Sequence, residues 1–278
     1  MSQTFNLRLA TESIAINAQQ LGVTIALLQR IRVYVVAIIV RQPKPYLWLT
    51  YQIELPHPCL AAQLNWPAWQ PAQVGFSDYL WEQTCLECFI QTTSISTANA
   101  VDISSIGNGV IEDGQATDYI EINASPSGRY ALYQFNSYRN PSTLPPNPLL
   151  RTDGRTRARI DWADSSSQNK KFVISKLNPA PTLCLNTVST ILPKSIFTPN
   201  CHYKYGKSFY ERGFGVSLAQ LSNQTSIIDP IPIERLHPCV ILWFGELALY
   251  FASSHASPPD FHQREYWSPF DYKAALAQ

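Results

Sequence analysis

Apolar and polar residues alternate with a period of two along much of this chain, and amphipathic helix patterns are scarce. Residues 5–10 alternate as an opening strand, and residues 32–41 form a β-branched run that reads as another. Residues 24–30, just before that run, read as a helical turn or an insertion. The clearest alternation is Tyr46–Leu55: Leu47, Leu49, Tyr51, Ile53 and Leu55 share one face, and Trp48, Thr50, Gln52 and Glu54 the other. Residues 80–90 predict a strand whose even face is Leu80, Thr84, Leu86, Cys88 and Ile90, broken by Glu82. Its odd face is Trp81, Gln83, Cys85, Glu87 and Phe89. In residues 118–124, Ile120, Ile122 and Ala124 point one way, and Tyr119, Glu121 and Asn123 the other. Ser125-Pro126-Ser127-Gly128 is a turn, and residues 129–135 return as the partner strand.

Shorter strands are expected at 156–162, 171–176, 182–192 and 214–221. A last hairpin is expected at 239–244 and 247–252, split by Gly245-Glu246. Residues 56–78 are Pro-rich and irregular, and 92–117, 140–170 and 222–238 read as loop insertions. No repeat and no break in composition marks a second domain. The expectation is one all-β domain over residues 1–278, built as a two-sheet antiparallel β-sandwich of jelly-roll type.

Composition narrows the function classes. Charged residues make up 15% of the chain against a typical ~25%. The net charge is +1, which argues against a duplex nucleic-acid binder with its basic patch. Seven Trp and 14 Tyr supply either core filling or stacking surfaces. The first residues lack a basic segment followed by an apolar run, so no signal peptide is expected. The apolar stretch 21–40 is interrupted by Gln29, Arg30 and Arg32, which disfavours a membrane helix. A cytoplasmic location is the expectation. Cys59, Cys85, Cys88, Cys184, Cys201 and Cys239 are then expected as free thiols. Cys85 and Cys88 are three apart on a strand and point to opposite faces, which disfavours a zinc or redox pair.

The chemistry concentrates on the mixed faces. If strands 80–90 and 118–124 are neighbours, Trp81, Glu87, Glu121 and Asn123 share a surface. An aromatic plate beside carboxylates and an amide is what a sugar site needs: the ring packs on C–H groups and the polar groups bind hydroxyls. The competing reading makes Trp81 core and Glu87 and Asn123 a buried, satisfied network. Two nearby carboxylates also suit acid/base work of the glycosidase kind. Arg139 is placed to pair with Glu121 or Glu87, or to contact an anionic ligand. His255, Asp260 and His262 are either a metal site or a Pro-fixed loop held by structural hydrogen bonds. No G-x-S-x-G and no phosphate-binding glycine loop is present.

Three runs carry a resemblance. They are Leu80-Trp81-Glu82-Gln83-Thr84-Cys85-Leu86-Glu87-Cys88-Phe89, Tyr119-Ile120-Glu121-Ile122-Asn123-Ala124-Ser125-Pro126-Ser127-Gly128, and Tyr138-Arg139. With His255 and the later Pro259-Asp260-Phe261-His262, they resemble the DOMON-like domain proteins of bacteria. That family implies a β-sandwich similar to the type 9 carbohydrate-binding modules. In those modules a Trp and a Glu six residues later, on one strand, contribute to a terminal-sugar site; Trp81 and Glu87 have that spacing. Glu121 and Asn123 stand where the modules place polar residues two apart, with Glu121 replacing a base. Tyr250 and Trp267 are candidates for the aromatic that closes the site. The resemblance leaves structural calcium open, although no clear acidic loop is present. Haem, which some DOMON domains bind through Met and His, is disfavoured because the only Met is Met1. A pair from His202, His237, His255 and His262 is the remaining route.

The sequence thus reads as a non-catalytic module for a small polar ligand, a saccharide, with no cofactor expected. Its ligand-binding residues are Trp81, Glu87, Glu121, Asn123 and Arg139, supplemented by Tyr250, His255, Asp260, His262 and Trp267. The alternatives are a haem or redox protein, an enzyme using the carboxylates or a His/Asp metal, and a structural protein whose polar face is buried.

Overall fold

The computed structural model describes residues 2–41, 44–92, 119–151, 153–163, 201–204, 206–221 and 233–276. The expected strands at 171–176 and 182–192 lie outside these residues, as do nearly all of the insertion at 92–117 and residues 222–232.

The fold is built outward from its best alternating pair. β1 is Gln3–Leu9, β2 Arg32–Val40 and β3 Tyr46–Leu55. The register of β2 on β3 sets Val33 opposite Ile53, Val35 opposite Tyr51, Ala37 opposite Leu49 and Ile39 opposite Leu47. All eight are buried, so one period-two pattern fixes both the pairing and the core face. Short helices α1, Ile14–Gln20, and α2, Ile25–Leu28, bridge β1 to β2. The Thr24 hydroxyl caps α2 by accepting the Leu27 N–H.

After α3, Pro58–Gln63, come β4, Gly75–Phe76, β5, Cys85–Thr92, β6, Tyr119–Ala124, and β7, Arg129–Phe135. Then follow β8, Ile160–Trp162, β9, Cys201–Lys204, and β10, Lys207–Ser217. The last elements are β11, Ile233–Phe244, β12, Leu247–Ala252, β13, Ser268–Pro269, and α4, Tyr272–Ala275. Among the described residues no helix is long and apolar enough to cross a membrane.

The strands form one hydrogen-bonded path, β4-β7-β6-β5-β11-β12-β1-β2-β3-β10-β8, with β13 beside β11 and β9 beside β10. Every pairing is antiparallel except β4 with β7. The two separate sheets expected from the sequence are therefore joined, and β1 is the joint. Its residues Gln3 to Leu7 pair with β2, while Arg8 and Leu9 pair with β12. The sheet curls so that β3 and β5, far apart along the path, face each other: the Tyr51 hydroxyl donates to the Glu87 carbonyl at 2.7 Å. The core between them draws Leu47, Leu49 and Ile53 from one half and Leu86, Ile122 and Val240 from the other. Each such aliphatic side chain contributes about 1.5–3 kcal/mol on burial. At Gly215 a Cβ would stand 2.7 Å from the Trp48 indole, so glycine is what lets that ring lie flat across β10.

Three expectations shift. Strand 80–90 begins only at Cys85, because Tyr79 adopts φ 60° and the chain makes a 3-10 turn over Leu80–Glu82. The insertion at 222–238 ends early: β11 already runs from Ile233, with a register shift before Arg235 and Pro238 tolerated opposite Cys88. The strand expected at 214–221 is the end of β10, and Leu218–Gln220 turns away as a 3-10 segment.

On the face of β5, β6, β7, β11 and β12 away from the main core lies a second apolar cluster. It includes Cys85, Phe89, Tyr119, Tyr133, Phe135, Ile241, Phe261 and Trp267. Cys88 belongs to the main core, so the two cysteines do occupy opposite faces of β5.

Candidate functional site

The polar positions of β5 and β6 are brought together by register. Glu87 pairs with Asn123 and Phe89 with Glu121, so Glu87 and Glu121 are diagonal neighbours on one face. On the outer sides, Cys239 of β11 stands opposite Glu87, and Tyr133 of β7 opposite Glu121. This surface floors a cavity of about 400 Å³. Trp81 forms a wall from the 3-10 turn, while Ile241 and Tyr250 rise from the paired β11 and β12. Segments 141–146 and 259–262 supply the rest of the lining.

The C-terminal segment is tied down by a compact network. Arg139 has φ 48°, a conformation that costs a non-glycine residue about 1–3 kcal/mol and marks a site held by its surroundings. Its N–H donates to the Tyr119 hydroxyl at 3.2 Å, and its guanidinium to Asp260 at 2.8 Å. Asp260 also accepts from the Tyr138 hydroxyl and from the His262 N–H. The Tyr119 hydroxyl lies 2.7 Å from His262 Nδ1. The hydroxyl accepts from Arg139 and can either donate to Nδ1 or accept from it, according to the ring's tautomer. Nε2 faces Glu121 Oε2 at 3.7 Å. Burial, with the Arg139 charge behind it, pushes the His262 pKa down to about 3, so the ring is neutral and this contact is not an ion pair.

The two carboxyls are buried and electrically unfavourable. Burial raises Glu121 to about 7, against the Asn123 hydrogen bond and the Arg139 charge, which both lower it. Burial and then the neighbouring Glu121 charge hold Glu87 well above the usual carboxylate range. Asn123 Nδ2 donates to Glu121 Oε1 at 2.7 Å. One oxygen of Glu87 is buried without a hydrogen-bond partner. Such an atom costs about 1–3 kcal/mol unless something meets it.

Of the residues selected from the sequence, Trp81, Glu87, Glu121, Arg139, Tyr250, Asp260 and His262 line the cavity. Trp81 does so from a turn rather than from β5. Asn123 stands behind Glu121 and orients it. Trp267 lies beneath, stacked on His237 with centroids 6.0 Å apart, its indole N–H donating to the Phe261 carbonyl. His255 Nε2 donates to the Arg8 carbonyl, away from Asp260 and His262. Among the described residues no group of three or more His, Cys, Asp and Glu is placed to hold a metal ion. Arg139 pairs with Asp260 rather than with Glu87 or Glu121. Sequence reasoning passed over Phe135 and segment 141–146, whose Pro-rich run has no periodicity to read. Phe89 and Phe261 stood in the quoted runs, and their strand face and loop carried the available signal.

No family model and no curated protein matches the chain. Among solved structures it is similar to a "putative carbohydrate-binding protein" from Bacteroides uniformis, with 11% identity and a TM-score of 0.37. That similarity covers 93% of this chain and 90% of the other.

Proposed function

We propose that this chain is a non-catalytic binding protein for a small polar ligand, a saccharide, which it takes into the cavity over β5 and β6. One observation carries the reading: a cavity of about 400 Å³ combines aromatic walls with a buried carboxyl, one oxygen of which has no hydrogen-bond partner among the described residues. Trp81 and Tyr250, the partly exposed Trp and Tyr of the lining, offer ring surface to C–H groups, and Glu87 and Glu121 accept from hydroxyls. Asn123 orients Glu121, and the Arg139–Asp260 tie fixes the C-terminal wall. The resemblance to type 9 modules and their β-sandwich belongs to the same proposal. Its support is that Trp81 and Glu87, six residues apart, line one cavity.

A panel of neutral, amino and acidic sugars, followed by Trp fluorescence and thermal midpoint, tests it. At least one sugar is expected to shift both, with weak affinity, because the cost of immobilising a small ligand offsets much of what a few contacts supply. If the whole panel leaves both signals unmoved, the saccharide reading is wrong.

The carboxyl pair favours a second reading, acid/base chemistry on a glycoside, since burial raises Glu121 to about 7 and holds Glu87 well above the usual carboxylate range. Release of reducing sugar from glycosides, abolished by Glu121→Gln, would establish it.

A further inference from the structure

The charges that line the cavity do not balance. Glu87, Glu121 and Asp260 contribute carboxyls, and Arg139 contributes the cation. Arg139 is committed to Asp260. His262 is the group nearest Glu121 from the C-terminal segment, and its ring is neutral. Among the described residues neither Glu87 nor Glu121 is paired with Lys or Arg. Glu87 lines the cavity, is 3% exposed, and among the described residues has one oxygen with no hydrogen-bond partner. Glu121 has one oxygen taken by Asn123, while the other meets only the more distant His262. As diagonal cross-strand neighbours their Cβ atoms stand about 7 Å apart. One small donor group can reach both carboxyls across that gap. Around them stand Trp81 and Tyr250, rings of a kind that attracts cations.

Resting on the reading of this cavity as a saccharide site, we infer that its ligand is an amino sugar whose primary ammonium sits between Glu87 and Glu121. A hydroxyl would meet the unpartnered oxygen but leave the pair protonated. An ammonium supplies N–H donors and charge together. A quaternary ammonium has no N–H for the Glu87 oxygen, and an acidic sugar brings like charge to two carboxyls. Ser142 and Thr143 on the lining face the remaining hydroxyls.

Protons enter this balance. Glu87 is faced by Cys85 on its own strand, Tyr51 on β3, Cys239 on β11, Tyr250 on β12 and Glu121 on β6. Glu121 is faced by Arg139, Tyr119, Tyr133 and His262. None of these is a cation free to stand in for the ligand. Ammonium binding therefore ionises the pair and releases protons, and it tightens as pH rises from 5.5 to about 7, above which the amino sugar's own ammonium begins to lose its proton.

The test is calorimetric titration of the full chain with glucosamine, glucose, N-acetylglucosamine, ethanolamine and choline at pH 6.8, and with glucosamine again at pH 5.5. Glucosamine is expected to bind about tenfold more tightly than every other probe. It should also weaken at pH 5.5, and fall to the glucose level in Glu87→Gln. Glucose or N-acetylglucosamine binding as tightly as glucosamine overturns the ammonium while leaving the saccharide reading intact. Ethanolamine or choline binding as tightly overturns the sugar half of the inference. Silence from all five overturns both readings.

Discussion

Burial decides the protonation of the residues that matter most, and it does so in opposite directions for the acids and the histidines. Glu121 titrates near 7 in the folded chain against 4.5 when free. Between those values the folded state holds more protons than the unfolded one, so stability falls as pH rises, by about 1.4 kcal/mol per unit for one group. Glu87, also held well above its free value, adds to the fall in the same direction. His237 and His262 lie near 3 against 6.5 when free, both first through burial. Their folded state holds fewer protons, so stability falls as pH drops from 6.5. From about 4.5 to 6.5 the slopes oppose each other. The thermal midpoint is thus expected to be broadest and highest there, and to decline towards pH 8. Glu87→Gln should raise the midpoint at pH 8 by several degrees, at about 2–4 °C per kcal/mol for a chain of this size class. A wild-type midpoint that climbs steadily from pH 5.5 to 8 would contradict this. Alternation made Glu87 and Glu121 legible in the sequence, since period two sets them on one face. The partner of Arg139 was not legible. Asp260 is 121 residues away in sequence, and nothing local distinguishes it from Glu121.

At the scale of elements, the walls matter as much as the floor. The turn that presents Trp81 hides inside what alternation reads as strand, because Leu80 and Leu86 keep the even-face pattern across the 3-10 segment. Tyr79 at φ 60° sets that turn, and an aromatic residue gives no signal of it. The C-terminal wall depends on Asp260, which gathers Arg139, Tyr138 and the His262 N–H. Arg139 is half exposed, so its ion pair adds at most about 1 kcal/mol. Asp260→Asn should therefore move the thermal midpoint little, yet speed hydrogen exchange at residues 259–263. Unchanged exchange there would show that the segment is held by packing alone. The strands themselves were mostly legible. The start of β11 was not, because Pro238 and the register shift near Arg235 break the alternation that signals a strand.

Across the whole molecule, β1 converts the expected pair of sheets into one curled sheet. Seven residues change partner midway, from β2 to β12, and such a switch leaves no mark on hydrophobic periodicity. What the pattern does record is the apolar face of β2 and β3, and the curl lets it meet the face of β5, β6 and β11 that carries Leu86, Ile122 and Val240. Tyr51 reports on that closure through its bond to the Glu87 carbonyl. Tyr51→Phe should cost about 1 kcal/mol in urea unfolding, the worth of one buried hydrogen bond. The same closure seats Glu87 at the back of the cavity, so the core on one side of β5 and the binding surface on the other share a backbone. That surface is the central claim. Its most direct test is calorimetric titration of the wild type, Trp81→Ala and Glu87→Gln with the sugar that shifts the midpoint most. Binding in the wild type that weakens at least about tenfold in both folded variants is the predicted result. Binding of equal strength in all three would place the ligand elsewhere and contradict the account.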